Sequence, residues 1–184
     1  MNVYDFDNTI YHGDSSLRFY AFCLRKRPAI VRCFPTQLCG LIRYFLKRDS
    51  LEQFKSKFFS FFRLIDTEKY VLDFWKKEKE RIRPWYLSQK AESDVIISAS
   101  PELLLKPICD ELNVRLIATQ VDKSGKLLSK NCKGKNKVDF FRERFREKID
   151  EFYSDSITDV FLAREAREAY FVKKEKIIKW DRQE

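Results

Sequence analysis

Two aspartates one residue apart, in the run Asp5-Phe6-Asp7-Asn8-Thr9, follow a short apolar N-terminal stretch. In an extended strand, residues two apart point the same way, so both carboxylates would face one pocket if the strand persists that far. Such a pair can bind a divalent cation, or divide the work of nucleophile and proton carrier. A second run, Ser98-Ala99-Ser100-Pro101, reads as a strand-to-helix turn. Its hydroxyls and the amide N–H groups at the helix start suit phosphate oxygens, although a plain helix cap accounts for it equally. A third, Lys133-Gly134-Lys135-Asn136-Lys137, opens a helix. A lysine there can neutralise charge building up on a transferring phosphoryl group, and alone it also reads as a solvated basic turn. The fourth, Ser154-Asp155-Ser156-Ile157-Thr158-Asp159, puts one acid at a strand end and another about one helical turn later. Capping explains Asp155 as well as metal binding does, but an aspartate inside a helix is a disfavoured choice that asks for a reason.

The elements around these runs follow from pattern. Residues 1–7 read as a strand ending in the two acids, and Asp14-Ser15 is a helix-start signal. From there to Gln89 the apolar residues recur at helical spacing, as in Phe19, Phe22 and Cys23 or Leu51, Phe54, Phe58, Phe61 and Phe62. Pro28, Asp49-Ser50 and Asp66-Thr67 divide this stretch into about four helices, and Pro84 closes the last. The texture changes at Ser93. Asp94–Ser98 reads as a buried parallel strand, 101–112 as a helix, 114–120 as a strand and 123–126 as a hairpin turn. Residues 137–148 then read as a helix, a short strand ends at Phe152-Tyr153, 157–167 is helical, and 169–172 and 176–180 are late strands. Without residues 14–92, strands and helices alternate as in a parallel-sheet α/β domain.

The chain has 184 residues, 44% of them apolar, with 17 Phe, 4 Gly and 5 Pro. That length accommodates one core domain with an inserted subdomain, and scarcely two independent domains. Few turn formers and many charged residues favour helices over an all-β sandwich. The net charge of +9 is concentrated: residues 14–92 hold 18 Lys and Arg against 9 Asp and Glu, and the remainder is neutral. That segment should attract an anion: a phosphorylated substrate, an acidic membrane surface or nucleic acid. A solvated basic face without a partner is the plain alternative. Five cysteines (23, 33, 39, 109 and 132) form no CxxC pair and read as free thiols in a reducing compartment. No signal peptide is legible, because acids appear by Asp5. Residues 29–46 are the nearest approach to a membrane span. Arg32, Pro35, Gln37 and Arg43 make them too polar to cross a bilayer, but not to lie on one.

In this order, each after a strand, the four runs resemble the haloacid dehalogenase (HAD) superfamily of phosphotransferases. The chain is most similar to the phosphoserine-phosphatase-like branch, subfamily IB. The stretches DVIISASPELLLKPIC, VRLIATQVD, NCKGKNKV and YSDSITD carry the likeness beyond DFDNT. The resemblance implies a Rossmann-like α/β core, a parallel sheet flanked by helices, formed by residues 1–13 and 93–184. It also implies an inserted all-α cap, a helical bundle, at 14–92. Asp5 would be the nucleophile that forms an aspartyl-phosphate, and Asp7 the acid that protonates the leaving oxygen and then activates water. Ser98 and Lys137 would bind the phosphoryl group, with Ala99 and Thr9 beside them. Lys137 is preferred to Lys133 and Lys135 because the family pattern Gly-x-x-Lys-apolar fits Gly134 to Val138. Mg²⁺ would be held by Asp5, the main-chain carbonyl of Asp7 and Asp155, with Asp159 in support. Three positions depart from the family pattern. Asn8 stands where small residues are frequent, and Phe161 replaces a frequent Pro. Residues 149–153 are polar for a buried strand, which implies a short or edge strand.

The insert lies where this superfamily places a substrate-reading cap. Asp14 lies nine residues after Asp5, where phosphoserine phosphatases carry an acid that contacts the substrate amine; it is equally well placed to cap the first insert helix. His12 receives no role. The basic, Phe-rich first half of the insert either lies on an anionic membrane or packs the cap's own core. In layout the chain is also similar to the phosphatidylglycerophosphatase C family, whose cap is much more apolar. The expected protein is a soluble, cytoplasmic, Mg²⁺-dependent phosphomonoesterase of a phosphorylated small metabolite, phosphoserine-like substrates included. The first alternative is a phospholipid phosphatase on the inner face of the membrane. The second is a basic binding protein with an idle core. No nucleic-acid-binding motif is present, so nucleic acid is not an expected partner.

Overall fold

Apolar residues that alternate between two sides of very short strands require a sheet covered on both faces. In the computed structural model, which describes residues 1–181, the sheet is built from β1 (Val3–Tyr4), β2 (Val95–Pro101), β3 (Arg115–Thr119), β4 (Ile149–Ser154), β5 (Ala166–Lys173) and β6 (Lys176–Lys179). Val3, Val95, Ile97, Ile117 and Phe152 pack on one side and Tyr4, Ile96 and Tyr153 on the other. The strand order is β3-β2-β1-β4-β5-β6, parallel throughout except for the antiparallel last pair. Chain order therefore reverses at β1. The crevice above the carboxyl ends of β1 and β4 is a topological switch point, where open α/β sheets bind ligands. Residues 182–184, which the sequence assigns to the core segment, lie outside the described residues.

Eight α-helices are formed among the described residues: α1 (Ser15–Lys26), α2 (Phe34–Phe45), α3 (Leu51–Phe58), α4 (Thr67–Glu78), α5 (Pro84–Gln89), α6 (Glu102–Glu111), α7 (Lys135–Arg144) and α8 (Val160–Ala163). The breaks within the first five fall where capping residues stand. Asp14 accepts from Leu17 N at 2.9 Å, Ser50 and Gln53 form a capping box, and Asp66 accepts from Lys69 N. Tighter 3-10 turns at 28–33, 59–64 and 79–81 link them. Pro84 opens α5 rather than closing a helix, since a proline lacks the N–H that a first helical turn leaves unpaired.

Several boundaries differ from the sequence reading. β1 ends at Tyr4, and the chain turns at once: the N–H groups of Thr9, Ile10 and Tyr11 all point to the carbonyl of Phe6. A turn, not strand alternation, therefore sets the direction of Asp7. α7 stops at Arg144 because Phe145 is extended, its ring against Phe141 at 5.4 Å and under the Arg115 guanidinium. The helix expected over 157–167 shrinks to a turn and the single-turn α8. Residues from Ala166 onward pair with β4 despite helix-favouring composition, so tertiary pairing outweighs local propensity. β4 is neither short nor at an edge. Its polar residues sit near its amino end, where Asp150 pairs with the Met1 ammonium and Glu151 accepts from Asn2 and Tyr153.

The insert helices share a core with the sheet. Phe19, Phe61, Phe62, Phe74 and Trp75 join Tyr4, Phe6, Ile96 and Leu104 in one continuous cluster. Trp75 donates its indole N–H to the Leu104 carbonyl at 2.7 Å, which ties α4 to α6. Phe61 is fully buried, with ring centroids of Tyr20 and Phe62 at 5.0 and 4.8 Å. Phe61→Ala should destabilise the protein by about 3–5 kcal/mol, read from urea unfolding. A loss below about 1 kcal/mol would mean that this cluster does not hold the insert to the sheet.

Candidate active site

The carboxyl ends of β1, β2 and β4 and the start of α7 deliver their side chains to one cavity of about 360 Å³, closed from above by α1 and α3. Asp5, Asp7, Asp14, Ser98, Ala99, Lys137, Asp155 and Asp159 all line it. Acids from both ends of the chain meet because β1 and β4 are neighbours: the Asp5 N–H continues the ladder to the Tyr153 carbonyl at 2.8 Å. Gly134 precedes α7 with φ 57°, a backbone shape that glycine adopts without strain, and its N–H points to Asp159 Oδ1. That turn aims Lys137 inward. Its buried ammonium donates to Asp5 Oδ1 at 2.5 Å and to Asp159 Oδ2 at 2.6 Å. Asp159 also accepts from Ser154 Oγ at 2.9 Å. Lys133 lines the cavity without an acidic partner among the described residues, and Lys135 is exposed.

Thr9 is fully buried and stands behind the acids rather than on the cavity wall. Its hydroxyl lies 3.3 Å from Asp5 Oδ2 and 3.5 Å from Asp155 Oδ1, and it accepts from the Asp155 N–H at 2.9 Å. It thus holds two carboxylates in register. Asp7 is fixed by three serines. Ser100 Oγ donates to Oδ2 at 2.5 Å, Ser15 N to Oδ1 at 2.6 Å, and Ser16 Oγ lies 2.9 Å from Ser100 Oγ. Ser98 Oγ accepts from Ser100 N at 3.1 Å and so shapes the β2–α6 turn.

Crowded acids in a dry site resist ionisation. Burial pushes the Asp5 carboxyl up to about 7, against the pull of Lys137. Burial, with Asp14 nearby, raises Asp7 to about 6, and its serine partners oppose this. Asp155 is likewise raised by burial. Burial alone would pull the Lys137 ammonium down, but Asp5 and Asp159 outweigh it and hold the lysine protonated. Among the described residues no three His, Cys, Asp or Glu side chains cage an ion by themselves. Two carboxylates on one threonine hydroxyl, with Asp7 lining the same cavity, are nonetheless hard oxygen donors with excess negative charge. Such a set fits a small divalent cation.

Lys55 has no place in the sequence reading. It reaches from α3 to the Ala99 carbonyl and Asn131 Oδ1, both at 2.7 Å, and lines the cavity beside Leu51, Phe54 and Phe58. The signal was a lysine on an otherwise apolar helical stripe. Asn131, buried and bonded to Thr119 Oγ1 at 3.2 Å, was hidden in a loop without pattern.

Residues 3–164 match the family model of haloacid dehalogenase-like hydrolases, and the chain belongs to that family. It is therefore a hydrolase. No curated protein matches it. Among solved structures it is similar to a protein of unknown function from Bordetella pertussis Tohama I, with a TM-score of 0.74 and 17% identity over 89% of this chain and 85% of that one. A phosphoserine phosphohydrolase-like protein from Francisella tularensis subsp. tularensis SCHU S4 gives 0.53 and 19%, over 95% and 90%. A HAD family hydrolase from Salmonella enterica subsp. enterica serovar Typhi gives 0.57 and 10%, over 89% of this chain and 59% of that one. At these identities the likeness is one of fold.

Burial holds the Lys55 ammonium down to about 8, with Asp7 opposing. Since the folded state disfavours the charged form, Lys55→Met should stabilise the protein at pH 7 by on the order of 1 kcal/mol. Between pH 8 and 10.5 the unfolded chain binds more protons here than the folded one, so wild-type stability rises and the gain should shrink. Unfolding midpoints across that range test this. A variant less stable than wild type at pH 7 would contradict it.

Proposed function

We propose that this hydrolase is a Mg²⁺-dependent phosphomonoesterase that carries the phosphoryl group on Asp5, with a phosphorylated small molecule as substrate. The observation that carries the reading is the contact of Lys137 with Asp5, at the switch point and beside Ser98. A carboxylate nucleophile, a fixed cation and a hydroxyl near the carboxyl end of β2 there surround the volume that a phosphate would fill. In this scheme Asp5 attacks phosphorus and the bond to the leaving oxygen breaks. Asp7, with a pKa near neutrality, gives that oxygen its proton. Asp7 then takes a proton from the water that hydrolyses the aspartyl-phosphate, which regenerates both groups. Lys137, Ser98 and the Ala99 backbone hold the phosphoryl oxygens, and Thr9 keeps Asp5 aligned with Asp155. Asp5, Asp155 and the Asp7 carbonyl would hold Mg²⁺, with Asp159 supporting through Lys137. The ion would offset the negative charge that phosphate brings to an acidic site.

Residues 1–13 and 93–181 serve as the core in this reading and 14–92 as the cap. α1 and α3 supply Asp14, Leu17, Leu51, Phe54, Lys55 and Phe58 to the cavity roof, where they would exclude water and read the leaving group. Asp14 spends one carboxylate oxygen on capping α1 while lining the cavity, so the two sequence readings of it are compatible.

Asp5→Asn should lower turnover of a generic aryl phosphate by about 10³-fold or more while leaving the circular dichroism spectrum unchanged. Near-wild-type turnover would refute the nucleophile assignment. Mg²⁺ at about 100 times its Kd should add about 2.7 kcal/mol to wild-type stability. Asp155→Asn should remove most of that increment, a readout independent of turnover. Equal Mg²⁺ stabilisation of both proteins would place the ion elsewhere.

A further inference from the structure

Eight of the ten phenylalanines of the insert are buried or half-buried, yet α2 turns its two outward. Its inward side is small or polar. Buried Gln37 accepts from Tyr20 Oη at 2.8 Å and donates to the Phe58 carbonyl at 2.9 Å. Buried Gly40 lies so close to α3 that a Cβ there would stand 2.8 Å from Lys57 Cδ. The apolar residues point outward. Val31, Phe34, Leu38, Leu41, Ile42 and Phe45 form one stripe at helical spacing, with Phe34, Ile42 and Phe45 55, 49 and 73% exposed. Single exposed apolar residues are ordinary; a continuous stripe on one helix marks a surface that something covers.

Charge identifies the cover. Residues 15–48 contain eight Lys and Arg and no Asp or Glu. Arg32, Lys47 and Arg48 are exposed and have no acidic partner among the described residues, and Asp49 is buried against Arg43 and Lys57. A second copy of this chain docked through the same face would set these cations against their equivalents. We propose that the α2 face seats the protein on an anionic lipid bilayer. The apolar stripe would enter the acyl boundary and the arginines and lysines would meet the lipid phosphates. Among the described residues no helix is long and apolar enough to cross a membrane, so the contact is with one surface. The inward side of the same helix packs on the active-site roof. Tyr44 stacks on Phe54 with ring centroids 5.5 Å apart, and Phe54 lines the cavity.

Cosedimentation with vesicles reads this without reference to turnover, so it stands or falls apart from the phosphatase reading. The wild-type chain should bind phosphatidylcholine vesicles containing phosphatidylglycerol, bind phosphatidylcholine alone at least about fivefold more weakly, and weaken as salt is added. The Ile42→Glu/Phe45→Glu variant should lose at least tenfold in vesicle affinity. Arg32→Gln and Arg48→Gln should each lose about fivefold. Leu72→Glu, at an equally exposed apolar position on α4, should bind as wild type does. Thermal melts matching wild type show that each variant is folded. Failure of the wild type to bind at low salt would overturn the proposal. Unchanged binding of the double-Glu variant, or a dimer in solution that this variant dissociates, would do the same.

Discussion

One buried ammonium holds the site together. Lys137 lies between Asp5 from β1 and Asp159 from the turn after β4, and neither acid has a second cationic side chain among the described ion pairs. Desolvating a lysine and two carboxylates is costly, and only close, well-directed contacts offset that cost. Removing the lysine leaves both acids buried without a cationic partner, whereas removing one acid leaves the lysine paired with the other. The positioning of β1, α7 and the β4 turn is thus coupled to the electrostatics that a phosphoryl group would meet. The cluster holds two acids and one ammonium, and burial, against the pull of Lys137, keeps the Asp5 carboxyl raised. This is the state that a site for a cation and an anion together should have before either arrives.

Topology explains why residues so far apart in sequence share this ion cluster. Strand order turns back at β1, so helices cover opposite faces on its two sides and leave a crevice at its carboxyl end. Every cavity residue from the sheet comes from that end. The chain is irregular between Ser98 and Pro101, where the Ser100 hydroxyl reaches Asp7 and the Ser98 hydroxyl accepts from the Ser100 N–H. Serines in this region contribute little as isolated caps. Their effect is to clamp Asp7, which sits in the turn after β1.

The parts of this arrangement that the sequence makes legible are those carried by local pattern. An apolar run followed by a polar turn marks the ends of β1 and β2, while the choice of Lys137 among three lysines comes from the family pattern Gly-x-x-Lys that the resemblance supplies. What escapes is set by distant partners. β5 begins inside a helix-favouring stretch because β4 offers it a ladder, and β4 is central although polar because Met1, Asn2 and Tyr153 satisfy its acids. Lys55 could be seen as odd on its helix, but Ala99 and Asn131, which give it a reason to be there, lie 44 and 76 residues away. Thr9 shows the reverse case: the sequence marks it as important, and only its neighbours show that its hydroxyl serves the acids rather than the cavity.

The phenylalanines of the insert separate two demands that composition alone merges. Phe19, Phe61, Phe62 and Phe74 are buried with the sheet's own aromatics, so core packing accounts for them without any partner. Phe34 and Phe45 do not. The difference lies in α2, where glutamine and glycine occupy the inward positions that leucine or phenylalanine would fill in a helix seeking burial. Packing could have used the stripe by rotating the helix by about a third of a turn; Gly40 against Lys57 and the two hydrogen bonds of Gln37 fix the observed orientation. Specific contacts therefore hold an apolar surface outward, next to the roof of the cavity. A fold that spends close packing to keep such a surface exposed requires a solvent for it other than water.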